Sequence, residues 1–150
     1  MGRILGLDIG ERRIGVAISD PEGRIAVPLR ILERTSTSAA ERALADLARA
    51  EGIELIVLGL PLSMDGSVGP QARLVQAFGE GLARASGLPI EFWDERLSSV
   101  QADRTGTGSR RRAVRHVRRR RAPADDVAAA IVLQAYLDRQ QARSERGAGS

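Results

Sequence analysis

The chain has 150 residues, of which 43% are hydrophobic, and a formal net charge of +4, which together fit one domain with its own core. It contains no cysteine, which excludes disulfide frameworks, zinc–thiolate sites and thiol catalysis, and it has no apolar run approaching the ~20 residues of a membrane span. The N-terminus also lacks a secretory pattern, so we expect a cytoplasmic protein that does not bind membranes.

Three strands are predicted at the start of the chain. Residues 3–10 and 14–20 are apolar segments on either side of a tight turn. Residues 4–7 are apolar on both alternating faces, as in a central strand covered on both sides. The sequence Asp20-Pro21-Glu22-Gly23 is typical of a β-turn, and a third strand should follow around residues 24–29. Together these segments predict an antiparallel meander.

Helices and strands alternate after the meander. Candidate caps at residues 36–38 precede a helical pattern that ends at Gly52. Residues 54–59 form a short apolar strand, which we expect to be buried and parallel to the first. A loop rich in Gly, Pro and Ser follows over residues 60–69.

The last third of the sequence completes the pattern. Pro70 suits the first turn of a second helix, whose apolar stripe includes Leu74. Residues 89–93 form a fifth strand, and a short helix should start at Ser98. The final helix is predicted over residues 124–138, and because residues 127–133 contain no polar side chain we expect that part to be buried all round.

This order of elements predicts an α/β fold with a five-stranded mixed sheet flanked by helices. The first three strands should be antiparallel and the last two parallel. We assign residues 1–140 to the folded domain and residues 141–150 to a polar, disordered tail. Ligand sites in such sheets lie beyond the carboxyl ends of the parallel strands.

Acidic residues occur at three positions where elements begin or end near that edge. Asp8 lies inside the first strand, where a charge is costly unless it is paired, hydrogen-bonded or bound to a metal. Carboxylates that converge there would suit Mg²⁺ or Mn²⁺. The other two positions are Asp94-Glu95 after the fifth strand and Asp125-Asp126 at the start of the last helix.

Each acid also has an interpretation without a metal. Backbone donors could satisfy Asp8, a surface ion pair could hold Glu95, and Asp125 could be a simple helix cap.

Strand parity alone does not choose between Asp94 and Glu95. At the last helix, Asp125 and Asp126 lie about 100° apart around the axis, so only one can face the site squarely. The register against the apolar run favours Asp125.

A dense basic segment follows the fifth strand. Residues 110–121 contain eight arginines, one histidine and no acid, a composition that often contacts nucleic acid and otherwise forms a solvated loop. We expect phosphates to be bound by this segment and by arginines near the acidic positions. The candidate residues are Arg12, Arg13, Arg96, Arg110, Arg111, Arg112 and Arg115.

Four motifs in order closely resemble the YqgF (RuvX) family over about residues 3–139. The resemblance implies a ribonuclease H-like fold and a nuclease that matures the 5′ end of pre-16S rRNA. It also implies that Asp8, Glu95 and Asp125 bind the catalytic metal, and it favours Glu95 over Asp94. The motifs are Gly6-Leu7-Asp8-Ile9-Gly10 with Ile14-Gly15-Val16-Ala17, then Gly59-Leu60-Pro61-Leu62-Ser63-Met64-Asp65-Gly66, then Asp94-Glu95-Arg96-Leu97-Ser98, then Asp125 ahead of Ala128-Ala129-Ala130-Ile131-Val132-Leu133.

The resulting hypothesis is metal-dependent phosphodiester hydrolysis on structured RNA, with two ions bridged by Asp8. One alternative is a Holliday junction resolvase that uses the same carboxylates on four-way DNA. Another is a non-catalytic RNA-binding factor in ribosome assembly. The first hairpin is also similar to the phosphate-binding hairpin of actin-like ATPases and sugar kinases, but 150 residues leave no room for their second domain.

Overall fold

The computed structural model describes residues 2–97 and 125–148, which contain five strands and three long helices. The order along the chain is strand, strand, strand, helix, strand, helix, strand, helix, which confirms the sequence-based expectation. The elements are β1 (Arg3–Ile9), β2 (Arg13–Ser19), β3 (Ala26–Glu33), α1 (Thr37–Ala50), β4 (Ile53–Leu60), α2 (Pro70–Ser86), β5 (Ile90–Asp94) and α3 (Asp125–Ala148).

All five strands form one mixed sheet in the order β3-β2-β1-β4-β5. The β1–β2 and β2–β3 pairs are antiparallel, whereas the β1–β4 and β4–β5 pairs are parallel, as predicted. The carboxyl ends of β1, β4 and β5 therefore meet at one edge, which is where ligands bind in sheets of this type.

The third strand begins later and ends later than the predicted residues 24–29. The predicted turn is present, with the Gly23 N–H donating to the Asp20 carbonyl at 2.9 Å. The Asp20 carboxylate also accepts hydrogen bonds from the backbone N–H groups of Arg24 and Ile25, at 2.7 and 3.0 Å. These bonds extend the turn to Ile25, so β3 starts at Ala26 and pairs with β2 as far as Glu33.

The predicted signals at the helix ends are confirmed. The Ser36 hydroxyl accepts from the Ala39 N–H at 3.1 Å and caps α1, and Pro70 is the first residue of α2. Gly52 follows α1 with φ of 67°, a conformation that side chains disfavour. The predicted stripe on α2 is partly wrong, because Leu74 is 59% exposed while Val75 is buried.

Two apolar clusters cover the two faces of the sheet. Helices α1 and α2 pack with Leu5 and Leu7 on one face, and α3 packs with Ala17 and Val57 on the other. On the α3 face, β1 has Gly6, where an added Cβ would lie 2.6 Å from the Cβ of Leu133. The missing side chain lets α3 approach the centre of the sheet closely.

Helix α3 differs from the prediction in burial and in length. Val127 and Ile131 are each 40% exposed, so the apolar run is not buried all round. The sheet covers only one side of the helix, and the buried residues on that side include Ala129, Val132 and Leu133. The helix also continues to Ala148, through part of the predicted disordered tail, because residues 139–146 contain neither Gly nor Pro.

None of the helices in residues 2–97 and 125–148 combines the length and the apolar character needed to cross a membrane.

Replacing Leu133 with Ala should lower the free energy of unfolding by about 2–5 kcal/mol, because the side chain is fully buried between α3 and the sheet. Thermal denaturation should show a fall in Tm of roughly 6–15 °C. Leu74→Ala is the matched control, and its free energy of unfolding should stay within about 0.5 kcal/mol of the parent. A larger loss for Leu74→Ala than for Leu133→Ala would contradict this assignment of the core.

Candidate active site

Two carboxyl groups meet at the edge where β1, β4 and β5 end. Asp8 is the sixth residue of β1, and Glu95 directly follows β5. Their side chains interact through a hydrogen bond that lowers the pKa of Asp8 and raises the pKa of Glu95. The sequence prediction named both residues, and the fold brings them together although 87 positions separate them.

Strand β4 lies between β1 and β5, and a glycine on it makes this meeting possible. A Cβ added at Gly59 would lie 2.6 Å from Oε1 of Glu95. Any side chain at this position would therefore compete with the Glu95 carboxyl for the same space. The absence of a side chain at Gly59 lets Glu95 reach across β4 towards Asp8.

A second glycine brings the start of α3 to the same edge. A Cβ added at Gly15 on β2 would collide with the backbone carbonyl of Asp125. Because Gly15 pairs with Asp8 across the β1–β2 ladder, this contact brings Asp125 close to Asp8. The negative charge of Asp125, and not that of its neighbour Asp126, contributes to the raised pKa of Asp8.

Burial raises the pKa of Asp8, and Asp125 raises it further, although the hydrogen bond from Glu95 acts in the opposite direction. The pKa of Glu95 is raised to about 7, first by burial and then by the charge of Asp8 and the hydrogen bond to it. Near neutral pH, two half-buried carboxyl groups this close together lower the free energy of unfolding, because burial and mutual repulsion disfavour their charged forms.

The donor set fits a hard divalent cation. Mg²⁺ is commonly held by one or two carboxylates, with waters and substrate phosphates completing its shell. Such an ion can replace the shared proton between Asp8 and Glu95 and neutralise both charges. Among the residues that the structure describes, no group of three or more His, Cys, Asp or Glu side chains is arranged to hold a metal ion, so Asp125 stays outside the immediate pair.

Asp94, the alternative to Glu95, has a different partner. Its carboxylate receives hydrogen bonds from the Arg96 guanidinium, the shortest being 2.7 Å from Nη2 to Oδ2. These bonds hold the pKa of Asp94 below its usual range. Trp93 packs in the cluster under α3, so Asp94 leaves the strand on the opposite face, towards α2. The two neighbouring acids are therefore separated in space and in charge state.

Arg12 and Arg13 are exposed at the turn between β1 and β2, on the same edge as Asp8. The turn is closed by a 2.9 Å hydrogen bond from the Gly10 N–H to the Arg13 carbonyl. Arg34 supports it, donating from Nη1 to the Gly10 carbonyl at 3.2 Å and lying 5.2 Å from the centre of the Phe78 ring. No pattern in the sequence predicted this role for Arg34.

The other predicted arginine contacts have two outcomes. The guanidinium of Arg96 is engaged by Asp94 and by the backbone carbonyl of Met64. Two further predictions lie outside the residues that the structure describes. They are the helix expected from Ser98 and the phosphate contacts of Arg110, Arg111, Arg112 and Arg115. The last described residues before that segment, 95–97, are helical.

A groove of about 320 Å³ lies between β5 and α3 and was not foreseen from the sequence. Trp93 and Tyr136 meet edge to face in its lining, and the Arg139 guanidinium lies 6.0 Å from the centre of the Trp93 ring. Arg143 also lines the groove. Since Asp94 and Leu97 belong to the same lining, the groove adjoins the segment that carries Glu95.

The role of Gly15 and Gly59 was also missed, although the sequence contains a signal for it. Glycine inside a strand weakens the strand and often marks a close approach of another backbone or a ligand. Both glycines lie inside predicted strands, and both belong to the quoted motifs. The start of α3 approaches Gly15, and the Glu95 side chain approaches Gly59. Both approaches depend on tertiary packing, which the sequence of the strands does not show.

Comparison with known proteins gives a consistent result. The family model described as RuvX, Holliday junction resolvase, matches residues 2–139. A Moorella thermoacetica protein named "Putative pre-16S rRNA nuclease" is 47% identical over 137 residues, covering 91% of this chain and 95% of that protein. A protein of the same name from Symbiobacterium thermophilum is 45% identical over 141 residues, covering 94% and 95%.

Solved structures with a similar fold include RuvC from Thermus thermophilus. One has a TM-score of 0.61 at 14% identity and covers 93% of this chain and 96% of that one. A second, in complex with a Holliday junction substrate, has a TM-score of 0.59 at 10% identity and covers 90% and 92%. At these identities the likeness concerns the fold, which is the ribonuclease H-like fold expected from the sequence.

The pKa of Glu95 predicts a specific pH dependence of stability in the absence of divalent metal. The folded-state pKa of about 7 lies above the ordinary value of 4.5, so the stability contributed by the protonated group is fully present below pH 4.5. It is lost as the pH rises through 7. Glu95→Gln removes the charge and should therefore be more stable than the parent at pH 8, and close to it at pH 4.5.

The expected gain at pH 8 is on the order of 1 kcal/mol, after allowing for solvent screening of a partly exposed carboxyl. Thermal denaturation in EDTA should show it as a rise in Tm of about 3 °C. Glu80→Gln, at an exposed position on α2, is the control and should shift Tm equally little at both pH values. A Glu95→Gln protein that is less stable than the parent at pH 8 would argue against the raised pKa.

Proposed function

Because the chain belongs to the RuvX family, whose model matches residues 2–139, we propose that it is a nuclease that hydrolyses phosphodiester bonds in structured RNA. The observation that carries the proposal is the contact between the carboxyl groups of Asp8 and Glu95 at the edge of a ribonuclease H-like sheet. A carboxyl pair of this kind is suited to a divalent cation and to phosphate chemistry.

We assign cation binding to Asp8, Glu95 and Asp125, with Mg²⁺ or Mn²⁺ as the ion and two ions in the complete site. Support comes from the shared hydrogen bond of the pair and from the electrostatic effect of Asp125 on Asp8. When bound, the ions supply activation of the attacking water and stabilisation of the leaving oxygen. Asp8 has the central role in this proposal, because both other acids influence its pKa.

The proposed substrate is the 5′ end of pre-16S rRNA. The two relatives described above have pre-16S rRNA in their names, and each aligns with more than nine-tenths of this chain. The choice of the 5′ end follows from the family resemblance of the sequence motifs. This substrate also implies a cytoplasmic location. Arg12 and Arg13 would bind RNA phosphates beside the carboxyl pair, and the arginines of residues 110–121 would extend the contact.

A four-way DNA junction is the second candidate substrate, and the description of the matching family favours it. The same carboxylates would serve both reactions, since phosphate contacts carry no sequence information and hydrolysis of the phosphodiester is the same step. Only a direct comparison of the two substrates separates these functions.

Asp8→Asn should lower the cleavage rate at least about 10²–10³-fold, the loss expected when a group that stabilises transition-state charge is removed. Affinity for RNA should stay the same or rise slightly, because a negative charge is removed near the bound phosphates. The assay compares a pre-16S rRNA 5′ fragment with a four-way DNA junction, in Mg²⁺, in Mn²⁺ and in EDTA. Asp46→Asn, at an exposed position on α1, is the control and should cleave at the parental rate.

Three outcomes are informative here. Cleavage of the junction without cleavage of the RNA would favour the resolvase function. Binding of RNA without cleavage at any metal concentration would indicate a non-catalytic assembly factor and would contradict the proposal. An Asp8→Asn protein that cuts as fast as the parent would remove Asp8 from the active site.

Arg12→Ala and Arg13→Ala should each weaken RNA binding and reduce its dependence on salt. Removing one arginine that binds a phosphate should make the slope of log Kd against log salt concentration shallower by about 0.7–0.9. Filter binding between 50 and 200 mM KCl measures this slope. Arg84→Ala, near the end of α2 away from the carboxyl pair, is the matched control, and an equal change of slope in that variant would mean that the turn is not a specific contact.

A further inference from the structure

Arg96 connects the segment after β5 to the loop between β4 and α2, residues 61–69, which we call the β4–α2 loop. Its Nε donates to both carboxylate oxygens of Asp94 at 3.0 and 3.2 Å, and its Nη2 donates to Oδ2 of Asp94 at 2.7 Å. Its Nη1 donates to the backbone carbonyl of Met64 at 3.1 Å. All three guanidinium nitrogens therefore take part in holding protein groups.

The β4–α2 loop is itself ordered by local hydrogen bonds. The Ser63 N–H donates to the Ser67 carbonyl at 3.0 Å, and the Gly66 N–H donates to the Ser63 carbonyl at 2.8 Å. The Asp65 carboxylate accepts from the N–H and hydroxyl of Ser67, at 2.9 and 2.6 Å. The loop is thus a compact turn, and Arg96 links it to the segment after β5.

The guanidinium also lies directly against the loop backbone. Gly66 has φ of 88°, in the region that favours glycine, and a Cβ placed there would lie 3.6 Å from Nη1 and Nη2 of Arg96. The positive φ favours glycine here, and the 3.6 Å distance places the guanidinium within van der Waals range of the loop.

The same bonds fix the backbone that carries Glu95. The Arg96 N–H donates to Oδ1 of Asp94 at 3.0 Å, so Asp94 caps the helical turn that begins at Glu95. Asp94 thereby contacts both the backbone and the side chain of Arg96. Because Glu95 lies between these two residues, their mutual geometry sets where its carboxyl points.

We propose that Arg96 is a positioning residue that, through Asp94 and the Met64 carbonyl, holds the β4–α2 loop and Glu95 in a fixed relation at the carboxyl pair. Its role in cleavage rests on the proposed nuclease function, whereas its structural part does not. The inference replaces the sequence-based role of Arg96 as a phosphate contact. Its charge is largely compensated by Asp94, so little attraction is left for a phosphate.

A lysine cannot perform this role. The planar guanidinium binds a carboxylate in two places and still has a donor for a third group, whereas an ammonium is a point charge on a flexible stem. Arg96→Lys therefore separates the two roles, because it keeps the charge needed for a phosphate contact and loses the geometry needed for positioning.

The first test measures amide hydrogen exchange of residues 62–67 by mass spectrometry, without metal or RNA. Arg96→Ala, Arg96→Lys and Asp94→Asn should each speed exchange there about 5- to 10-fold, the factor that corresponds to the removal of one or two hydrogen bonds. Arg42→Ala, on the exposed face of α1, should leave this exchange unchanged. Unchanged exchange in all three variants would overturn the inference.

The second test compares single-turnover cleavage with RNA affinity. The three variants should lower the cleavage rate about 10- to 100-fold, as small misplacements of catalytic groups do, with Kd and its salt dependence close to the parent. The double variant Asp94→Asn/Arg96→Ala should be no slower than either single variant, because both disrupt one unit.

A phosphate contact predicts the opposite pattern. Arg96→Ala would then weaken binding as Arg12→Ala does, Arg96→Lys would restore it, and Asp94→Asn would tighten it by freeing the guanidinium. That result would overturn the inference even if cleavage falls. If the parent protein cleaves no substrate, the proposed function fails, and the exchange measurement still decides whether Arg96 holds the loop. Melting curves of all variants identify any that fail to fold, and Asp94→Asn and Arg96→Lys retain most of the side-chain volume.

Discussion

A half-buried carboxylate on the central strand is the constraint on which the rest of the site depends. Asp8 lies on β1 with neighbouring strands on both sides, where an isolated negative charge would be expensive. The carboxyl group of Glu95 lies beside Asp8 at the edge where the parallel strands end. Because Glu95 can carry a proton, the two groups need not both be charged. The result is a pair of acids with raised pKa values, in which a bound divalent cation would take the place of the proton.

Absent side chains on the α3 face of the sheet are what make this pair possible. Gly6 lets α3 pack on β1, Gly15 lets the start of α3 reach β2, and Gly59 lets Glu95 cross β4. A Cβ at any of these three glycines would contact another group of the protein. The short distance between the acids therefore depends on three residues that have no functional side chain. Because successive residues of a strand point to opposite faces, Asp94 and Glu95 have different partners. Asp94 pairs with Arg96, and Glu95 interacts with Asp8.

Arginines and acids both lie at this edge of the sheet, and they differ in their exposure to solvent. The arginines of the β1–β2 turn are exposed to solvent, where attraction to an anion is sensitive to salt. The acids are partly withdrawn from solvent, where their interaction with a cation is stronger. Arg96 differs from the arginines of this turn, because its guanidinium donates to the Asp94 carboxylate and to the Met64 carbonyl.

The sequence by itself determined the element order, the mixed sheet and the family, because apolar periodicity, turn residues and local motifs are properties of short segments. It also identified Asp8, whose burial follows from the apolar residues around it on the same strand. The family resemblance favoured Glu95 over Asp94, and the tertiary structure supplies the physical reason for that choice. It also decided why Arg96 is engaged and why Val127 and Ile131 stay exposed. These outcomes depend on which strands are neighbours and on which side α3 packs, and contacts between residues far apart in the chain leave no local pattern from which they can be read.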